Sequence, residues 1–350
     1  MPITPFINLK KQLAMSIKNL PPLIIGGAVF NTGYNENPHD LSASKILEAA
    51  FSKGFTAIDT SPYYGPSEEI FGKALKEISS KWKREDYLIC TKAGRLGLDE
   101  FDYSRPWIRK SVLRSLERLG TSYLDLVYIH DIEFVDEPSI IGAVKELKLL
   151  KNEGIVKNIG ISGYPVDFLY KIALRCKSEP EIGPLDAVLS YSNGCIQNEK
   201  LFEYYEKLLV DCGLKKVLNG SILSMSLLRS DATLDFHPAS KELKAKVSQV
   251  AKDLKNETGV ELADLATKFA LKRWLFDTAN QAGATPTSLE WNKNCSIVLG
   301  VSNIEELDAA IGNYEHVKSR AGEAEDEQLF AQVKQNLGDS FNETWRSGLH

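Results

Sequence analysis

The sequence predicts an α/β protein, a closed (β/α)8 barrel of the TIM type in a single domain. Three observations lead there. Eight short runs of β-branched and apolar residues recur at near-regular intervals along the 350-residue chain. Several of these runs lack polar alternation, as strands buried on both faces do. Helical patterns with start and stop signals lie between them, which implies parallel βαβ units. Eight such units close naturally into a barrel, which needs roughly 250 residues. An open, doubly wound sheet is the alternative, but no Gly-x-Gly-x-x-Gly follows the first strand.

The elements follow in order. Residues 1–22 read as an N-terminal extension. They contain neither a continuous apolar stretch nor a small-residue cleavage site, so no signal peptide and no membrane span are expected. The barrel is expected over 23–320. Its strands are LIIGGA (23–28), TAID (56–59), YLICTKA (87–93), LDLVYIH (124–130), NIGIS (158–162), AVLSY (187–191), KVLNGSIL (216–223) and SIVLGVS (296–302). The helix over 42–54 opens at Ser42 and stops at Gly54, and the one over 104–120 ends at Gly120. The helix over 136–154 has Pro138 near its start and Gly154 past its end. Helices over 198–213 and 303–314 follow the same logic. Residues 273–295 are polar and rich in Thr, Ala and Asn, so 275–295 is expected to be a surface loop insertion that the barrel does not need. Residues 321–350 form a charged tail with a helix over EAEDEQLFAQVKQNL.

The net charge is −5, with 25% charged and 43% hydrophobic residues and no long run of one sign. This argues against a surface for nucleic acid or anionic membrane. Cys90, Cys176, Cys195, Cys212 and Cys295 are odd in number and contain no Cys-x-x-Cys pair. Neither a disulfide framework nor a metal site is expected. A reducing, cytoplasmic setting fits.

In such a barrel, chemistry gathers at the C-terminal ends of the strands. Polar residues there are Asp59 after the second strand with Tyr64 in its loop, Lys92 on the third, His130 and Asp131 after the fourth, and Ser162 on the fifth. A tyrosine, with a pKa of about 10, is a poor base at neutral pH. A neighbouring ammonium favours the phenolate, and Lys92 supplies one. Asp59 would keep Lys92 charged and oriented, and His130 would hydrogen-bond a substrate oxygen. Together they make a proton-transfer device centred on Tyr64. Singly, each has a plainer role: Asp59 as a turn former, Tyr64 as a packing residue, Lys92 as an ion-pair partner, His130 as a satisfied core histidine. Their conjunction at the ends of consecutive strands argues for a site.

AIDTSPYYG, TKAG, LDLVYIHD and IGISG resemble the signature stretches of the aldo-keto reductases, (β/α)8 enzymes that transfer hydride between a nicotinamide cofactor and a carbonyl or alcohol. Longer stretches, among them GISGYPVDFLYKIA, SILSMSLLRS and FNETWRSG, resemble the NAD-dependent, sugar-oxidising members. The resemblance maps the family's catalytic tetrad onto Asp59, Tyr64, Lys92 and His130. It implies oxidation of the anomeric hydroxyl of an aldose, D-arabinose or a similar sugar, to the lactone, and a place in erythroascorbate synthesis. It further implies an NAD site drawn from Gly26, Gly27, Ser162, Gly163, Ser190, Ser221, Leu223, Ser224, Met225, Gly300, Ser302, Asn303 and Glu306. Four of these depart from the commonest pattern. Gly163 replaces an Asn, Ser190 a Gln, Gly300 a Lys and Glu306 an Arg, and Gly220 stands where a stacking Tyr is usual. The last two cofactor changes leave no cation for the 2′-phosphate of NADP and predict NAD.

Phe30, Tyr63, Arg95, Phe101 and Asp131 are candidate sugar-pocket residues. A small-molecule sugar is the expected partner, with the chain a monomer or a weak homodimer. Three alternatives remain: reduction of aldehydes or ketones with NAD(P)H, a cofactor-binding regulatory subunit, and a Schiff-base aldolase using Lys92.

Overall fold

A computed structural model describes residues 16–229, 233–234, 236–278 and 290–349. Strands β1 (Leu23–Gly26), β2 (Ala57–Asp59), β3 (Leu88–Ala93), β4 (Leu124–Ile129), β5 (Val156–Gly163), β6 (Ala187–Tyr191), β7 (Lys216–Gly220) and β8 (Cys295–Gly300) pair in sequence order and close as β1 against β8. Every pairing is parallel. All eight expected strands are present. Four, β1, β4, β7 and β8, end earlier than the apolar pattern implied, and at β1 and β7 the cause is visible. After Gly26 the chain tightens into a 3-10 turn, and after Gly220 it enters a run of left-handed residues beginning at Ser221.

Helices α1 (Ala43–Ser52), α2 (Ser67–Glu77), α3 (Arg105–Leu119), α4 (Glu137–Asn152), α5 (Val166–Ser178) and α6 (Lys200–Val210) follow β1 to β6. Helices α7 (Lys241–Thr258) and α8 (Leu262–Ala270) both fall between β7 and β8, and α9 (Ile304–Ser319) follows β8. Helix α10 (Glu323–Leu337) lies in the expected C-terminal tail. Helices α2, α5, α7 and α8 are additional to those read from start and stop signals. Leu243, Val247 and Leu254 of α7, Leu265 and Phe269 of α8, and Phe330 and Val333 of α10 form a satellite core. That core holds the tail against the barrel flank.

The barrel interior is filled by Ile24, Ala57, Cys90, Leu126, Tyr128, Ala187 and Leu218. Ile17 and Leu20, from the expected N-terminal extension, belong to this cluster. The fully buried Lys216 at the start of β7 donates to the carbonyls of Leu20 (3.0 Å) and Lys293 (3.0 Å), so it ties the segment before β1 to the segment before β8. Residues 1–15 lie outside the described residues.

The expected insertion at 275–295 requires correction at its start. The helix continues past α8 as a π-turn over Leu271–Asp277, with Trp274, Leu275 and Phe276 fully buried. Trp274 donates its indole N–H to the Ser296 carbonyl of β8 (3.1 Å). The Trp-Leu-Phe triplet is therefore barrel core, because its apolar side chains face β8 and α9. On the far side, Asn292 N–H donates to the Leu275 carbonyl (2.7 Å). Residues 279–289 lie outside the described residues. Among the described residues, no helix is long and apolar enough to cross a membrane, and no group of three or more His, Cys, Asp or Glu could hold a metal ion. All five cysteines are free and buried.

Candidate active site

A cavity of about 610 Å³ opens at the C-terminal ends of the strands, a size typical of small-molecule sites. Asp59, Tyr64, Lys92 and His130 all line it. Lys92 Nζ lies 2.5 Å from Asp59 Oδ1 and also donates to the Thr60 carbonyl (3.0 Å). Both side chains are nearly inaccessible. Burial alone would lower the Lys92 pKa, but the Asp59 carboxylate and Tyr64 outweigh it and hold the ammonium above its ordinary range. The same ammonium lies 4.8 Å from the Tyr64 ring centroid.

Tyr64 departs from expectation in one respect. Burial raises its phenol above the ordinary value, and the lowering pull of Lys92 only partly offsets this. In this protein alone Tyr64 is thus held as the neutral phenol. Desolvation penalises the phenolate more than one ammonium repays it.

His130 stands edge-on to Tyr64, with ring centroids 5.6 Å apart and planes at 87°. Its Nδ1 lies 3.0 Å from Ser61 Oγ, and its Nε2 lies 3.5 Å from Asp131 Oδ2. Burial, then the charges of Lys92 and Arg95, hold the imidazole neutral well below its usual pKa. Arg95 forms an ion pair with Asp131 and lies 4.1 Å from the Tyr63 ring centroid.

The structure places the other expected residues unevenly. Gly26, Gly27, Ser162, Ser221, Leu223, Met225 and Gly300 line the cavity, as do Tyr63, Arg95 and Asp131. Phe30 does not: it is fully buried against Phe71, with centroids 5.0 Å apart. Phe101 stacks on Phe134 (4.9 Å), and Phe134 is the ring that faces the cavity. Gly163, Ser190 and Ser224 lie behind the wall. Gly163 abuts the Glu133 carboxylate, Ser190 Oγ bonds to the Tyr164 carbonyl (3.3 Å), and Ser224 is fully buried. Ser302, Asn303 and Glu306 sit at the start of α9. Asn303 caps the helix by accepting Glu306 N–H (2.8 Å), and the Glu306 carboxylate accepts Ser302 N–H (2.7 Å). The surroundings of Glu306 are not, as the sequence suggested, free of cations: Arg229 lines the cavity and lies 4.0 Å from the Glu306 carboxylate.

The wall also contains Tyr34, Trp345 and Arg346, which the strand-end pattern did not reveal, and Tyr191, which ends β6 but was not among the expected site residues. Trp345 is held between Tyr164 (stacked, 4.5 Å) and His237 (edge-on, 5.1 Å). For Trp345 and Arg346 the one sequence signal was the stretch FNETWRSG. It follows an amphipathic helix and has no period of its own, so nothing in the letters aims it back over the barrel mouth.

A closed (β/α)8 barrel with a buried Lys–Asp pair beneath a tyrosine and a neutral histidine beside it defines an oxidoreductase of the barrel class. The Aldo/keto reductase family matches residues 22–324, and the chain belongs to that family. It is 49% identical over 97% of both chains to the D-arabinose 1-dehydrogenase of Saccharomyces cerevisiae. It is 33% identical to the L-galactose dehydrogenase of Arabidopsis thaliana over 88% of both chains. Among solved structures, an aldo-keto reductase from Bacillus halodurans in its holo form superposes with a TM-score of 0.61, at 21% identity over 89% of this chain and 91% of that one. That likeness concerns the fold.

The residues present fit the nicotinamide dinucleotide that members of this family use. Gly220 presents bare backbone to the cavity, where a Cβ would stand 3.3 Å from Leu189 and 3.6 Å from Tyr191. Ser221, Ser224, Met225 and Ser226 all adopt left-handed backbone conformations. Strained residues of this kind persist where the surroundings over-determine them, and they cluster at ligand clamps. Here the determinants are visible. Met225 N–H donates to Ser221 Oγ (2.8 Å), and His237, whose Nδ1 accepts Ala239 N–H, donates from Nε2 to the Ser224 carbonyl (2.8 Å).

Proposed function

We propose that this protein oxidises the anomeric hydroxyl of an aldose, D-arabinose or a sugar of similar shape, to the lactone, with NAD as the partner cofactor. The observation that carries the chemistry is the buried Asp59–Lys92 pair set 4.8 Å from the Tyr64 ring, beside a neutral His130. The choice of sugar is supported by the near full-length likeness to a D-arabinose 1-dehydrogenase.

Tyr64 exchanges the proton of the reacting oxygen. Lys92 stabilises the phenolate form, and Asp59 keeps Lys92 charged and aimed. His130 donates to the same oxygen and orients it. When bound, the nicotinamide supplies the hydride acceptor. Gly26, Gly27, Ser221, Leu223, Met225 and Gly300 would hold the dinucleotide. Arg95 and Asp131, paired at the wall, would meet sugar hydroxyls.

The neutral Tyr64 phenol favours one further reading, the reverse reaction. A phenol donates a proton to a carbonyl without prior ionisation, which suits reduction of aldehydes or ketones. Schiff-base chemistry at Lys92 is disfavoured, since its ammonium is stabilised and a nucleophilic lysine must be neutral.

NAD is preferred to NADP in this reading because Glu306 stands beside Arg229 and opposes a 2′-phosphate. The preference is expected to be at least about tenfold in kcat/KM, or about 1.4 kcal/mol. Glu306→Ala should narrow it by removing the carboxylate that opposes a 2′-phosphate. A cytoplasmic enzyme, monomeric or weakly dimeric, that supplies lactone to erythroascorbate synthesis completes the proposal. The test assays pentoses and hexoses with NAD and NADP and analyses the products in both directions. D-arabinose with NAD should lead and give lactone. Activity confined to carbonyl reduction, or a wild-type preference for NADP, would contradict it.

A further inference from the structure

We propose that Ser61 is a positioning residue that fixes His130 in the tautomer with its proton on Nε2, so that the imidazole can only donate to the reacting oxygen. The proposal rests on the reading that His130 touches that oxygen. The hydrogen-bond inventory around the ring carries it.

Ser61 Oγ lies 3.0 Å from His130 Nδ1, and the same Oγ accepts Tyr63 N–H at 3.1 Å. Ser61 is buried, at 1% exposure. With its oxygen already serving as an acceptor, its hydroxyl proton needs a partner, and Nδ1 is the one at hand. If Nδ1 carried a proton instead, the serine O–H would be buried with no acceptor, which is unfavourable. The surroundings of the opposite ring nitrogen favour the same tautomer without fixing it. Nε2 lies 3.5 Å from the Asp131 carboxylate, which attracts an N–H and repels a lone pair. That distance is long for a hydrogen bond, and the same carboxylate oxygen is engaged by Arg95. Nε2–H is therefore oriented by Asp131 without being consumed by it, and remains available to a substrate.

The backbone beneath the ring is fixed as well. Tyr103 Oη donates to the His130 carbonyl at 2.5 Å, and Asp131 is held in the left-handed region at φ 56°. Tyr103 reaches that carbonyl across Gly94. Gly94 has φ 107°, and any Cβ there would fall 2.5 Å from the tyrosine ring. Ser61 sits two residues after Asp59 and three before Tyr64, so one turn carries the carboxylate, the phenol and the group that sets the histidine.

The test reads the tautomer directly by 15N–1H correlation of the histidine rings in the full-length protein without sugar, the His130 signals being assigned by their loss in His130→Gln. Wild type should show a protonated Nε2 and a bare, hydrogen-bonded Nδ1. A protonated Nδ1, or a rapid mixture of the two forms, would overturn the proposal whatever the sugar proves to be. Ser61→Ala should introduce the Nδ1–H form. It should also lower kcat by at least about tenfold, the scale of one hydrogen bond lost in the transition state, and leave the Kd for cofactor unchanged. Ser61→Thr, which keeps the hydroxyl, should restore both the spectrum and most of kcat. An unaltered spectrum in Ser61→Ala would overturn the assignment of Ser61, and an altered spectrum with undiminished kcat would overturn its catalytic consequence.

Discussion

Lys92 is fully buried, and it remains charged because Asp59 lies 2.5 Å away. Its pull on Tyr64 is opposed by the desolvation that the same burial imposes. The sign of the pH dependence follows. A phenol raised above its ordinary value ionises only on the alkaline side, so sugar oxidation, which needs the phenolate, should rise with pH. Carbonyl reduction, which needs the phenol, should fall over the same limb. Lys92→Met removes the one group that lowers this pKa by charge and hydrogen bond, and should move both limbs to higher pH. Rate profiles in the two directions check this, and a limb that stays in place would detach Lys92 from Tyr64. That Asp59, Tyr64, Lys92 and His130 meet at one cavity was legible in the sequence, because Asp59, Lys92 and His130 sit at or beside strand ends and Tyr64 lies in the loop after β2. Arg229 and Trp345 were not, because their positions depend on how a loop and the tail return to the barrel mouth.

At the scale of elements, the clearest lesson lies between α8 and β8. A composition rich in Thr, Ala and Asn suggested a loop from residue 275. Leu275 and Phe276 at its start, with Trp274 just before them, instead complete a π-turn inside the core. Average polarity concealed them, because burial is decided residue by residue. Phe276, fully buried and 5.7 Å from Tyr314 by ring centroids, gives a direct check. Phe276→Ala should destabilise the fold by about 3–5 kcal/mol, read by denaturant unfolding. A loss under about 0.5 kcal/mol, the range of surface substitutions, would return the segment to a dispensable loop. The loop after β7 was misjudged in the opposite sense. KVLNGSIL looked like one long strand, but the left-handed serines after Gly220 end it and form a wall of the cavity.

Among the described residues, chain from outside the barrel is fastened at both of its ends, leaving the cavity open at the top. At the bottom, Lys216 fastens the segments before β1 and β8, and burial lowers its pKa to about 7. At the top, Glu133 anchors the tail: its carboxylate accepts Ser347 Oγ–H (3.0 Å) and its carbonyl accepts Leu349 N–H (2.9 Å). Burial, then Asp131, raise the Glu133 carboxyl from its ordinary 4.5 to about 8. Between those two values the native state keeps a proton that the unfolded chain has released. The contribution of Glu133 to stability is therefore full at acid pH and declines as pH rises from 4.5 to 8. Lys216 acts in the opposite sense from about 7 to 10.5, where the unfolded chain is the better proton binder. Glu133→Gln should flatten the decline of Tm between pH 5 and about 7. A slope equal to that of wild type would show that this carboxyl is ionised throughout.

The central claim is that Tyr64 exchanges the proton while an aldose gives hydride to NAD. The most direct test is single-turnover oxidation of D-arabinose by the NAD-loaded protein, comparing wild type with Tyr64→Phe and measuring cofactor affinity on the same preparations. The rate is expected to fall by about 10²–10⁴-fold, as for loss of a general acid–base group, with the Kd for NAD nearly unchanged. A Tyr64→Phe protein that keeps more than about a tenth of the wild-type rate, well outside that range, would contradict the account.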